Sequence, residues 1–118
     1  MTPDAATPDA PARWTDAAAA DEVWDGAGLE AVAEGRTIAL FRAGERVFAT
    51  DAMCTHGNAR LCDGFVEADG EGGASVECPL HQGRFDLASG RPLCEPVTEA
   101  LRTYPVRIEA GRVWVALG

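Results

Sequence analysis

Apolar and polar residues alternate with a period of two in several short stretches of this chain, the mark of strands with one face buried. The clearest stretch lies near the C-terminus. Tyr104, Val106 and Ile108 alternate with Arg107 and Glu109, a turn at Ala110-Gly111 follows, and Val113, Val115 and Leu117 then alternate with Trp114 and Ala116. This predicts a hairpin with one buried face, and Pro105 puts its first strand at a sheet edge or at a bulge. Residues 37–41 and 47–50 are β-rich runs around the turn Ala43-Gly44-Glu45-Arg46. A further hairpin with a loose tip is expected where Phe65-Val66-Glu67 and Ser75-Val76-Glu77 flank the Gly-rich acidic connection Asp69-Gly70-Glu71-Gly72-Gly73. Residues 17–20 are all alanine; they have helical propensity but are too few to stand alone, and the pattern assigns them to no element. From residue 29 onward strands dominate, with no long helical pattern, repeat or internal boundary. The expectation is an all-β fold, a small barrel or sandwich. Residues 1–12, with three prolines and no core-forming pattern, are expected to be a disordered N-terminal tail, and residues 13–118 one domain.

Composition narrows the function. A chain of 118 residues, 47% of them apolar, suits one modest core. No run of about eighteen apolar residues occurs, so no membrane span is expected. No basic residue precedes an apolar stretch at the N-terminus, so no signal peptide is expected, and both absences point to the cytoplasm. Nineteen acidic residues against ten basic ones give a net charge of −9, which disfavours nucleic acid as a partner. The excess acts either as a solubilising surface or as a field that steers the chain toward partners with basic docking patches. In a reducing compartment the four cysteines point to metal binding rather than to disulfides.

Cysteine and histidine occur together. His56 and His81 are the chain's two histidines; one lies in Cys54-Thr55-His56, the other in Cys78-Pro79-Leu80-His81. Two thiolates and two imidazoles make a four-ligand metal set, and each pair follows a predicted strand, at the tip of a loop. Cys₂His₂ zinc sites usually pair Cys with Cys and His with His, although tetrahedral zinc does not strictly forbid mixed pairs. In a Rieske centre two cysteines hold one iron and two histidines the other, so mixed loops suit it better. Gly57 and Gly83 could turn backbone N–H groups toward an anionic cluster, or serve as ordinary tight turns.

The motif Cys54-Thr55-His56-Gly57, with Cys78-Pro79-Leu80-His81-Gln82-Gly83-Arg84-Phe85-Asp86, resembles that of Rieske ferredoxins. The likeness runs from about residue 29 to residue 115 and is nearest to the ferredoxin components of bacterial aromatic-ring-hydroxylating dioxygenases of the naphthalene dioxygenase type. It implies a Rieske fold of antiparallel sheets with a two-loop cluster-binding subdomain, and one 2Fe-2S cluster. Cys54 and Cys78 would ligate the inner iron, and His56 and His81 the outer. Pro96, in Cys94-Glu95-Pro96-Val97, would sit in a third loop that shields the cluster. The implied partners are a flavoprotein ferredoxin reductase as electron donor and a terminal oxygenase as acceptor; a shuttle has no obvious need to oligomerise, so a monomer is expected. With both histidines on the cluster, no mononuclear iron held by two His and a carboxylate can be built, so the chain is expected to be an electron carrier and not an enzyme. The alternative is a Rieske subunit bound permanently in a reductase, like the small subunit of nitrite reductase.

Further expectations follow from single positions. Ala59 and Leu80 stand where high-potential Rieske proteins join their loops by a disulfide, and Gly83 and Phe85 where those proteins place hydroxyls; a potential near the low end of roughly −150 to +300 mV is expected. The second ring nitrogen of each histidine is expected to lose its proton only at alkaline pH. Cys62 and Cys94 are expected to be buried thiols, Trp14, Trp24 and Trp114 to pack in the core, and Phe85 and Leu80 to keep water from the cluster. Arg84 suits either docking or a surface ion pair. Glu67, Asp69, Glu71 and Glu77 suit either a docking patch or a solvated hairpin. Gly26-Ala27-Gly28-Leu29-Glu30-Ala31 matches a dinucleotide-binding string without the strand and helix such a string needs.

Overall fold

The computed structural model describes residues 14–55, 59–68, 73–79, 83–94 and 99–117, which form eleven strands. In chain order these are β1 (Trp14–Ala19), β2 (Gly28–Ala33), β3 (Arg36–Ala43), β4 (Arg46–Asp51), β5 (Phe65–Ala68), β6 (Ala74–Glu77), β7 (Arg84–Asp86), β8 (Pro92–Cys94), β9 (Thr103–Tyr104), β10 (Val106–Glu109) and β11 (Arg112–Ala116), with single 3₁₀ turns at Ala20–Glu22 and Leu61–Asp63. They assemble into three sheets of order β1-β11-β10, β2-β3-β4-β9 and β5-β6-β7-β8, and every pairing within the sheets is antiparallel. The fold is all-β, as the alternation predicts. No helix among the described residues is long and apolar enough to cross a membrane. The expected tail, residues 1–12, lies outside the described residues.

Strand β3 organises the interior. Its run Ile38-Ala39-Leu40-Phe41 is fully buried, because a continuous apolar run can serve a layer on each side of its sheet. Ile38 and Leu40 join one core with Val23, Ala49, Tyr104, Val113 and Val115. Ala39 and Phe41 join the other with Phe48, Leu61, Val76, Phe85, Leu87, Leu101, Cys54 and Cys78. Each large side chain buried there contributes about 1.5–3 kcal/mol. The second core carries the sheet β5-β6-β7-β8, and with it both cysteine loops.

Turn chemistry fixes the register. Ala33 pairs with Arg36, and Glu109 with Arg112, leaving the two-residue connections Glu34-Gly35 and Ala110-Gly111. All four residues have positive φ (51°, 78°, 55° and 77°), the conformation that matches the twist of a tight hairpin.

The structure assigns one stretch that the local pattern leaves open and divides another. Residues 17–19 belong to strand β1, which pairs with β11 across almost the whole sequence, with a register shift between Asp16 and Ala18; long-range pairing overrides the local preference of alanine. Near the C-terminus, Pro105 divides the expected strand in two: β9 pairs with β4 in one sheet, β10 with β11 in another, and the Pro105 carbonyl accepts from Ala116 N–H at 3.0 Å. The edge position expected from Pro105 holds, since β10 closes its sheet on one side. Burial of one face holds for Val113 and Val115, but Ile108, opposite Val113, is 43% exposed at that edge.

Candidate metal centre

Cys54 and Cys78 each begin a loop built to one plan. Cys54 lies beyond the end of β4, and its N–H donates to the Ala59 carbonyl at 2.9 Å; Cys78 directly follows β6, and its N–H donates to the Gly83 carbonyl at 2.6 Å. Outside these bonds lie matching antiparallel pairs, Met53 with Arg60 and Glu77 with Arg84. The 54–59 and 78–83 loops are therefore tips of short hairpins, each opening on cysteine. The sequence puts a histidine inside each tip, but His56 and His81 lie outside the described residues, as do Leu80 and Pro96.

The surroundings fit a cluster that needs two thiolates in a dry site. Cys54 is 5% and Cys78 0% exposed, within the same apolar core as Ala59, Leu61, Phe85 and Leu101. Phe85 is fully buried there, as its expected role in excluding water requires. Two contacts tie the first tip to its neighbours. Thr55 Oγ1 donates to the Glu99 carbonyl at 2.9 Å. Gly64, just past the first tip, lies so close to β6 that a Cβ there would stand 2.1 Å from the carbonyl oxygen of Glu77, the residue before Cys78. The absence of a side chain at Gly64 is what lets the two cysteine hairpins approach.

Several single-residue expectations change. Cys62 is half-buried and Cys94 is exposed on the edge strand β8, so neither is a core thiol, and no disulfide occurs among the described residues. Burial, and next the charge of Asp63, push the Cys62 thiol pKa up. Trp24 is 71% exposed. Trp14 is half-buried under the Arg107 guanidinium, 5.3 Å from its ring centre, and Trp114 buries an indole N–H that has no partner among the described residues. Gly28 lies in strand β2, where a Cβ would meet Cys62 and Phe41 at 2.8 Å; close packing explains this glycine, and the dinucleotide string is coincidence. Arg84 resolves as an ion pair: it lies 2.7 Å from Glu77 and 3.0 Å from Glu67, and donates to Ser75 at 3.1 Å. Glu67 and Glu77 are thereby neutralised in part, while Asp69 and Glu71 lie outside the described residues. Arg60 pairs in the same way with Glu30 at 2.6 Å. Sequence alone gives no role of their own to Arg60, Glu30, Thr55 or Gly64. A signal for Arg60 was present, since an arginine follows both Cys54 and Cys78 at the same interval of six.

Comparison with known proteins agrees with this geometry. The family described as Rieske-like [2Fe-2S] domain matches residues 13–116. The chain belongs to this family. As a Rieske protein it carries a 2Fe-2S cluster of the Rieske type. It is 49% identical over 105 residues to the ferredoxin component of the naphthalene 1,2-dioxygenase system of Pseudomonas aeruginosa, covering 89% of this chain and 96% of that one. Among solved structures it matches the ferredoxin in a complex of reduced oxygenase and oxidised ferredoxin of carbazole 1,9a-dioxygenase, with a TM-score of 0.75 and 32% identity over 87% of this chain and 92% of that one. It also matches a Mycobacterium tuberculosis protein described as the small subunit of an NADH-dependent nitrite reductase, with a TM-score of 0.81 and 30% identity over 92% of this chain and 98% of that one.

Proposed function

We propose that this Rieske protein is the ferredoxin component of an aromatic-ring-hydroxylating dioxygenase system. It takes one electron at a time from a flavoprotein NAD(P)H reductase and delivers it to a terminal oxygenase, and is not itself an enzyme. The observation that carries this reading is 49% identity extending over 96% of a naphthalene dioxygenase ferredoxin component. The nitrite reductase small subunit is favoured by fold alone, at 30% identity. The working location is the cytoplasm and the working form a monomer.

We assign Cys54 and Cys78 to the inner iron, and His56 and His81 to the outer one. The bound cluster supplies a one-electron couple. The chain's own residues hold and shield it: matched hairpin tips present the two cysteines, and Phe85 and Leu61 pack the dry side. Ala59 leaves the loops without a bridging disulfide, and Gly83 and Phe85 offer no side-chain hydroxyl, which supports a potential low in the Rieske range.

Reconstitution tests both parts. With a purified reductase and oxygenase of this class, product should form only when this chain is added, and His56→Ala or His81→Ala should abolish both transfer and the Rieske EPR signal. Stable co-purification with a reductase at fixed stoichiometry would favour the second reading. An unaltered signal in either histidine variant would overturn the ligand assignment.

A further inference from the structure

Each ligand tip is followed by an arginine. Arg60 comes directly after Ala59, and Arg84 directly after Gly83, the residues whose carbonyls close the two tips. The spacing Cys, four residues, a small residue, Arg therefore occurs twice in the chain. Each arginine also supplies half of its tip's stem pair, opposite Met53 in one hairpin and Glu77 in the other.

Both guanidinium groups are held by carboxylates. Arg60 Nη2 lies 2.6 Å from Glu30 Oε1, joining the first tip to strand β2. Arg84 spans three strands, reaching Glu77 at 2.7 Å, Glu67 at 3.0 Å and Ser75 Oγ at 3.1 Å. The Arg84 and Glu77 side chains are 26% and 24% exposed, and Glu77 is the residue before Cys78. Charges covered to this degree are screened less than surface charges and act through an effective dielectric of about 20, well below that of water.

Reduction adds one negative charge to the cluster. A fixed cation beside it favours the reduced form, and a fixed anion opposes it. We propose that Arg60 with Glu30, and Arg84 with Glu77, are positioning residues that hold the two hairpin stems and set the electrostatic field at the cluster, and so the ratio of reduced to oxidised protein. This inference rests on the ligand assignment given above. It goes beyond ordinary strand-tying because it fixes a sign: the two members of each pair must act in opposite directions.

The test uses the full chain with its cluster, at one pH, equilibrated with a mediator dye of known potential. One electron passes from reduced dye to the protein, and visible spectra give both ratios. Arg84→Gln should lower the reduced-to-oxidised ratio about threefold, ~28 mV at 59 mV per tenfold for a one-electron couple. Glu77→Gln should raise it by a similar factor, and Arg84→Lys, which keeps the charge, should leave it nearly unchanged. Arg60→Gln and Glu30→Gln should oppose each other likewise, with smaller shifts, since their side chains are 52% and 31% exposed. Arginine and carboxylate variants that shift the ratio in the same direction, as a loosened tip would, or that leave it unmoved, overturn the proposal. If Arg84→Gln fails to hold the cluster, Glu77→Gln decides alone, because Arg84 then keeps Glu67 and Ser75. EPR on the same samples separates the two claims. An intact Rieske signal with an unmoved ratio defeats this inference, whereas a signal that survives His81→Ala defeats the ligand assignment.

Discussion

Gly64→Ala is a direct probe of how the two cysteine hairpins meet. The backbone at Gly64 is extended, with φ −85° and ψ −175°, which any residue adopts, so the substitution carries no conformational penalty of its own. The whole effect comes from one methyl group placed 2.1 Å from the Glu77 carbonyl oxygen. Ordinary contact begins at 3.4 Å, so the two hairpins must separate by more than an ångström. Overpacking of this kind costs about 1–3 kcal/mol, a large share of the roughly 5–15 kcal/mol that holds a small domain folded. With a urea dependence of about 1–3 kcal/mol per molar, the unfolding midpoint should fall by about 1 M. Iron content and the EPR signal should fall too, because Glu77 adjoins Cys78. Gly111→Ala is the control. Its φ of +77° strains an alanine by about 1–2 kcal/mol, but nothing among the described residues lies within 4 Å of the added methyl and the turn belongs to a different sheet. Gly111→Ala should therefore lose comparable stability and keep its iron. A Gly64→Ala protein with full iron, an unchanged signal and an unshifted midpoint would refute this account of how the hairpins are joined.

Ala110 occupies a positive-φ position with φ 55°, and Ala110→Asn should stabilise the chain by about 0.5–1 kcal/mol, seen as a higher Tm; a lower Tm would contradict it. Tyr104, the chain's one tyrosine, donates to Asp51 and accepts from Arg36, and burial first, then the Asp51 bond, raise its pKa above the ordinary 10.0. Its stabilisation is therefore complete below that value and lost as pH rises toward the folded pKa, so ultraviolet titration should place tyrosinate formation above 10.0 and Tyr104→Phe should remove this part of the alkaline fall in stability; a midpoint at or below 10.0 would be inconsistent. With a net charge of −9, electron delivery to a partner with a basic docking face should slow as salt is added, in stopped-flow measurements; a rate independent of ionic strength would rule out steering.

Residues that act through local chemistry were legible in the sequence. The alternation of Val113 and Val115 with Trp114, the two hairpin turns at Ala43–Arg46 and Ala110-Gly111, and the placement of Cys54 and Cys78 beyond strand ends all follow from neighbours in the chain. What was not legible depends on distant partners. Residues 17–19 become a strand because β11, at the other end of the chain, offers a free edge, and no local propensity encodes that. The exposure of Trp24 and Cys94 follows from where the sheets end rather than from their hydrophobicity. The pairing of Arg84 with Glu77 needed the register of β6 against β7, although the repeated interval from cysteine to arginine was already present in the sequence.

Strand β3 has a consequence for anyone who would move this redox centre elsewhere. Because successive residues of Ile38-Ala39-Leu40-Phe41 serve opposite interiors, the strand is a party wall between two rooms. Transplanting only the cysteine hairpins would leave one room roofless, with Phe85, Leu61 and Val76 facing water where Ala39 and Phe41 had been. The smallest portable unit is the hairpins together with that wall, and the wall stands only if its other side is also filled.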